Sequence, residues 1–280
     1  ILDNYKMVQM TPFLLWGCLK SLHWIQAGKN LKAGALLALA VNIKLLPLFF
    51  VPYIVYRGHF KTFLFWILFS LLFVFMPAVF IGWQQNNFLL EQWVQLINPF
   101  SAGHTDMLFN KVDLGSSILY LLGNKELLAG EGGGAMSTVQ NHSLLITNVA
   151  RLFFVSVTLF FLKTLPVRPA KNSMFQIWEV AYIALLVPLL FPRQHLYAFV
   201  FLLPAFAYLV YFFMLRLKAH KILFVIFFMC ALFISPLLGR DVVGAELYDL
   251  LRDYKLSTLS VMMIAGVLMF CGPEKLSRAR

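Results

Sequence analysis

The sequence predicts an all-α protein, a polytopic transmembrane helix bundle of about seven to eight membrane segments with one long external loop. Three observations predict it. Of the 280 residues, 61% are apolar and only 12% charged, with a mean hydropathy of +0.79. Soluble domains carry about 25% charged residues, and disordered chains have the opposite composition. Apolar runs near the roughly 20 residues that cross a bilayer core recur along the chain. They are continuous rather than alternating, which excludes a barrel pattern. Finally, basic residues gather in alternate connections, as the positive-inside rule requires.

The runs are 7–26, 33–56, 61–82, 144–163, 176–192, 196–217, 220–238 and 256–272. They read as one transmembrane domain over 1–280. Lys163, Arg168 and Lys171 follow the fourth run. Arg216, Lys218 and Lys221 follow the sixth, and neither group contains an acid. Arg57 and Lys61 flank His59, and the tail carries Lys275, Arg278 and Arg280. These connections are expected in the cytoplasm. The acid-containing segments 83–143 and 239–255 are expected outside. The formal net charge of +11 is thereby explained by topology and anionic headgroups. A nucleic-acid partner is not expected.

Segment 33–56 poses a parity problem. Lys29 and Lys32 precede it, Arg57 and Lys61 follow it, and one full span would put these on opposite sides. Asn42, Lys44 and Pro47 lie at its middle. Two half-helices entering and leaving on one side would resolve the conflict, since irregular backbone is tolerated against protein or water. A single kinked span with two outer lysines is the alternative.

Loop 83–143, about sixty residues, far exceeds ordinary loop length. Its stretch Leu89–Leu96, with Trp93, suits a short interfacial helix. Gly130-Glu131-Gly132-Gly133-Gly134 lacks the Lys-Ser/Thr of a phosphate loop and reads as a hinge. Asn141-His142-Ser143 matches a glycosylation sequon and equally a polar helix start. Cys18, Cys230 and Cys271 have neither CxxC nor Cys/His spacing, so no disulfide or metal site is expected.

Lys44, Arg151, Glu179, Arg193 and His195 fall within or at the edge of apolar runs. A charge at the centre of a membrane helix costs about 2.5–3.5 kcal/mol, so such groups face a bundle interior or a cavity. Glu179 suits an ion pair with Lys171 as well as a functional role. Arg151 can snorkel outward; Lys44, mid-run beside Pro47, cannot do so easily. Pro192-Arg193-Gln194-His195 is a donor-rich external turn, and the planar fork of Arg193 suits phosphate or carboxylate oxygens.

The order of motifs resembles a known family. Asp3-Asn4, Gln9, and the run Ala33-Gly34-Ala35-Leu36-Leu37-Ala38-Leu39-Ala40 leading into Ile43-Lys44-Leu45-Leu46-Pro47 are similar to the polyprenol-phosphate-mannose-dependent mannosyltransferases, glycosyltransferase family eighty-seven of the GT-C superfamily. Gly82-Trp83, Asn141-His142-Ser143 ahead of Arg151, and Pro188 to His195 followed by Pro204 resemble its later landmarks. There are departures: Val8 where the family has Gly, Asn141-His142-Ser143 for Asn-Gln-Ser, and Pro192-Arg193-Gln194-His195 for a Trp with paired His. They leave the donor sugar open.

The resemblance implies a GT-C-like fold and a multi-pass enzyme, expected in the bacterial inner membrane. It would move a sugar, mannose by the family's habit, from a polyprenyl-phosphate donor to a glycolipid or glycan acceptor at the outer face, with inversion. On this reading Lys44, Arg151, Arg193 and His195 hold the donor phosphate. Asn4, Gln9, Asn141, His142, Ser143 and Gln194 contact the sugar or acceptor. The family's catalytic carboxylate lies in the first external loop, which would precede Ile1, so a longer protein is expected to supply the base. No cofactor or metal is implied. A transporter or lipid-linked-sugar flippase is the competing class, and an O-antigen ligase or polymerase the competing enzyme.

Overall fold

The computed structural model describes residues 10–97, 173–191, 195–234 and 240–273, with isolated helical positions between 114 and 159. Every regular element among them is helical. The chain divides into two compact units, residues 4–101 and residues 102–280 together with 1–3.

In the unit 4–101, α1 (Thr11–Gln26) and α2 (Asn30–Ile43) form a tight antiparallel hairpin. α1 ends in a Schellman turn: the Gly28 N–H donates to the Ile25 carbonyl at 3.0 Å and the Lys29 N–H to that of Trp24 at 2.8 Å. The turn needs a left-handed residue, supplied by Gly28 at φ 71°. Small residues make the contact, since van der Waals packing rather than hydrophobicity drives helix association in lipid. A Cβ added to Gly17 of α1 would sit 3.6 Å from the Ala40 Cβ of α2.

α2 stops where the sequence makes it stop. In a continuous helix the Pro47 ring would collide with the carbonyl four residues back, that of Ile43, and could not donate to it. Ile43 is the last residue of α2, and Lys44 turns extended at φ −157°, ψ 137°. A 3₁₀ turn, Leu46–Phe49, and α3 (Phe50–Tyr56) follow. α3 ends in a second Schellman turn, with Gly58 N–H on the Val55 carbonyl at 2.9 Å and His59 N–H on that of Ile54 at 3.0 Å.

α4 (Phe60–Phe75) then packs along α2. The Thr62 hydroxyl donates to Asn30 Oδ1 at 2.9 Å. A Cβ on Gly34 would lie 2.6 Å from the Phe65 Cβ and 2.8 Å from the Trp66 backbone nitrogen. Residue n of α2 thus faces about residue n+32 of α4, so the two helices run parallel. The chain has therefore turned back between them. Residues 44–59 form the returning limb, and Lys29, Lys32, Arg57 and Lys61 share one end of the unit. This is the broken, same-side arrangement, and the kinked single span is set aside.

α4 continues through the short helix Ala78–Ile81, and together they make an apolar stretch of 22 residues. None of its most apolar part is buried by protein. Leu64, Leu68, Val79 and Phe80 are all exposed, as side chains facing lipid would be. α5 (Trp83–Ile97) folds off the far end of this stretch, where Asn86 Nδ2 donates to the Val74 carbonyl at 3.4 Å. The expected helix within Leu89–Leu96 is thus present and longer. Residues 98–143 with the glycine-rich hinge lie outside the described residues, apart from isolated positions.

In the second unit α6 (Ser173–Leu190) is buried on all sides from Ala181 to Leu190, as a helix without a polar face must be. A 3₁₀ segment Leu196–Leu202 and α7 (Leu203–Arg216) return from it. α8 (Lys221–Ile234) and α10 (Leu256–Phe270) complete the core, with the amphipathic α9 (Ala245–Asp253) bent 55° from α10. The Trp178 indole N–H donates to the Leu268 carbonyl at 2.8 Å, and the Tyr208 hydroxyl to the Cys271 carbonyl at 2.7 Å. Both serve carbonyls that the end of α10 leaves without helical donors. The start of α6 thus meets the end of α10, so Ser173, Arg216 to Lys221 and Cys271 share one end. Phe191, His195 and Lys255 lie toward the other.

Three of the apolar runs are helical over their expected length, at Phe60–Ile81, Ser173–Leu190 and Leu196–Ala219, whereas 33–56 is broken after Ile43. Among the described residues, Phe60–Ile81 and Leu196–Ala219 are long and apolar enough to cross a bilayer, and the bent pair α9–α10 would make a third. In 33–56 the break falls just ahead of Pro47: hydropathy marks which solvent a segment prefers, whereas helix length depends on where the hydrogen-bond ladder can continue.

Candidate functional site

Lys44 is the best-defined charged group of the site. It caps α2, its own N–H closing the helix on the Ala40 carbonyl at 3.2 Å, and is half-buried. Its extended backbone interrupts the ladder, leaving local carbonyls available to a side chain or ligand. Asn42, two residues earlier, turns back to donate to the Ala38 carbonyl at 2.8 Å, so part of its polarity is absorbed by its own helix. The α2–α4 register, carried forward, sets Lys44 about level with Met76. That is the end of the unit opposite Lys29, Lys32, Arg57 and Lys61. A cation there, at a broken helix within an apolar layer, suits an anionic group that arrives from the membrane or from that face.

The other expected site residues divide as follows. Asn4, Gln9, Asn141, His142, Ser143, Arg151, Arg193 and Gln194 lie outside the described residues. His195 is described: half-buried, with extended backbone at φ −111°, ψ 174°, it opens the 3₁₀ segment, and its ring lies 5.8 Å from that of Tyr197. Lys44 and His195 belong to different units. Glu179 is 3% exposed, one and a half turns into α6, while Lys171 lies outside the described residues.

Two features at the basic end were not singled out as site candidates in the sequence. Arg57, read there as a flanking charge, is 5% exposed. Its guanidinium lies 5.0 Å from the Tyr56 ring and 6.0 Å from that of Tyr53, within cation–π range. Partial burial and the nearby Arg57 charge both push the His59 imidazole below its ordinary value, favouring the neutral ring. The second feature is the Asn30–Thr62 pair. Neither residue type is unusual alone. Two basic groups on both sides of a single apolar run were the available signal that these ends meet.

The architecture defines a class first: a helical membrane protein whose leading unit is a broken helical hairpin beside a lipid-facing helix, with a cation at the break. Residues 1–116 match the model of Glycosyltransferase family 87, the family that the Ala-Gly helix and Ile43-Lys44-x-x-Pro47 suggested. The match indicates a membrane glycosyltransferase. No curated protein and no solved structure matches the chain.

Proposed function

We propose that the protein transfers a sugar, with mannose the expected one, from a polyprenyl-phosphate donor to a glycolipid or glycan acceptor at the outer membrane face, inverting the anomeric centre. The acceptor hydroxyl oxygen forms the new bond to the anomeric carbon from the side opposite the phosphate. The old carbon–oxygen bond breaks, and polyprenyl phosphate departs with the electron pair. A carboxylate takes the hydroxyl proton as general base. Lys44, Arg151, Arg193 and His195 hold the phosphate, stabilising charge that grows as the bond breaks. Asn4, Gln9, Asn141, His142, Ser143 and Gln194 meet the sugar and acceptor hydroxyls.

One observation carries this reading: Lys44 stands at the Ile43–Pro47 break, inside the region that matches the family, and at the end away from the basic cluster. A lipid-linked phosphate can reach such a cation laterally while its tail stays in the bilayer. The family match favours the enzyme over a transporter. In the reconstituted full-length protein, Lys44→Ala is expected to lower kcat/KM for polyprenyl-phosphate mannose by about 100-fold, the scale of losing one transition-state contact. The KM for acceptor should hardly change. Unaltered donor kinetics would overturn Lys44's part. Failure of wild-type protein to transfer from any polyprenyl-phosphate sugar would overturn the donor class.

A further inference from the structure

At the end of the first unit opposite Lys44, a shallow, largely open groove of about 400 Å³ lies between the α1–α2 turn and α4, lined by Gly28, Lys29, Asn30, Leu31, Lys32 and Phe65. Its mouth is cationic. Lys29 and Lys32 are exposed on it, and Lys61 directly precedes Thr62, whose hydroxyl holds Asn30. Nothing in the unit neutralises this charge. The sole acid of residues 4–101 is Glu91, which lies on α5, beyond the other end of α4.

The groove's walls are apolar. Leu31 and Phe65 line it, and Phe60 and Leu64 beside it are 59% and 64% exposed along the lipid-facing side of α4. A free anion would meet the charge but gain nothing from the apolar wall. A neutral lipid would meet the wall and leave the lysines without a counter-ion. The chemistry that satisfies both is a phosphate joined to acyl chains.

We propose that this groove is a binding site for an anionic phospholipid. Its phosphate would lie between Lys29 and Lys32, and the first part of its chains along Leu31, Phe65 and the outer face of α4. The site is separate from the donor site by its place at the other end of the α2 hairpin, and it stands whether or not Lys44 contacts a donor. Its lipid belongs to the leaflet at the basic end, which the charge pattern assigns to the cytoplasm. A bound lipid there would tie the two Schellman turns at Gly28 and Gly58 to the membrane surface.

The test uses the full-length protein in vesicles of phosphatidylcholine with spin-labelled phosphatidylglycerol or spin-labelled phosphatidylcholine as probe. Electron paramagnetic resonance reads the fraction of each probe immobilised at the protein. Wild type should select phosphatidylglycerol, and Lys29→Gln with Lys32→Gln should reduce that selectivity by about fivefold per lysine, from roughly 1 kcal/mol for each basic group at a membrane surface. Leu31→Trp, which fills the groove and keeps every charge, should reduce it as well. Lys218→Gln with Lys221→Gln, at the basic turn of the other unit, should leave most of it. Equal loss in the two lysine pairs, or full selectivity in Leu31→Trp, would mean diffuse attraction without a site and would overturn the proposal. Displacement of the labelled lipid by millimolar inorganic phosphate at constant ionic strength would identify a free-anion site and overturn the lipid.

Discussion

Gly17 and Gly34 both lie on helix faces in contact with a neighbour, yet they differ in what they tolerate. At Gly17 the added methyl would meet Ala40 at 3.6 Å, an ordinary contact. At Gly34 it would meet the Phe65 Cβ at 2.6 Å and the backbone nitrogen of Trp66 at 2.8 Å, and backbone cannot rotate away. Gly34→Ala is therefore expected to destabilise the protein by about 1–3 kcal/mol, the cost of overpacking a filled contact. Gly17→Ala should be neutral or stabilise by up to about 1 kcal/mol through the less flexible unfolded chain. Thermal unfolding of both variants in one detergent checks the pair, and equal effects would refute the close α2–α4 contact. At this scale the sequence was partly legible. The Ala-Gly run suggested a special helix, but nothing in it distinguished the glycine pressed on backbone from the one facing a methyl group.

Among elements, the end of α10 depends on donors from other helices. The Cys271 carbonyl has the buried Tyr208 hydroxyl at 2.7 Å, and the Leu268 carbonyl the Trp178 indole at 2.8 Å. Removing the phenolic oxygen leaves a carbonyl in apolar surroundings. Tyr208→Phe should thus cost about 1–2 kcal/mol, between the small mean for interhelical bonds in membranes and the penalty for an unsatisfied buried group. Tyr211, 45% exposed on the same helix, is the control, and Tyr211→Phe should stay within about 0.5 kcal/mol of wild type. Denaturation in mixed micelles compares the two, and equal stability would remove the capping role. Hydropathy had marked both helices but not this dependence, because a tyrosine in an apolar run looks the same whether its hydroxyl meets lipid headgroups or a carbonyl 63 residues away.

For the whole molecule, the decisive feature is the direction of the chain through residues 29–61. With α2 and α4 parallel, Lys29 and Lys61 stand at one end and Gln84 at the other. In inside-out and right-side-out vesicles of a cysteine-free background, an impermeant maleimide should label Lys29→Cys and Lys61→Cys from the same side. Gln84→Cys should be labelled from the opposite one, and by the charge pattern that is the outside. Labelling of positions 29 and 61 from opposite faces would restore a through-going span. Labelling of position 84 from the cytoplasm would invert the orientation on which an outer-face transferase depends.

The sequence by itself determined the solvent and the class. Apolar runs with 12% charge require lipid, Ile43-Lys44-x-x-Pro47 suggested the family whose model matches that region, and Pro47 marked where the run 33–56 would kink or break. These are composition and short-range sterics, and both are local. The parity conflict between Lys29 and Arg57 was also legible, but not its solution. Only the tertiary structure decided that α2 enters and the chain from Lys44 returns, because that follows from Gly34 against Phe65 and from Asn30 accepting the Thr62 hydroxyl. Such contacts join residues about thirty positions apart, and their strength comes from fit between surfaces that no single segment encodes.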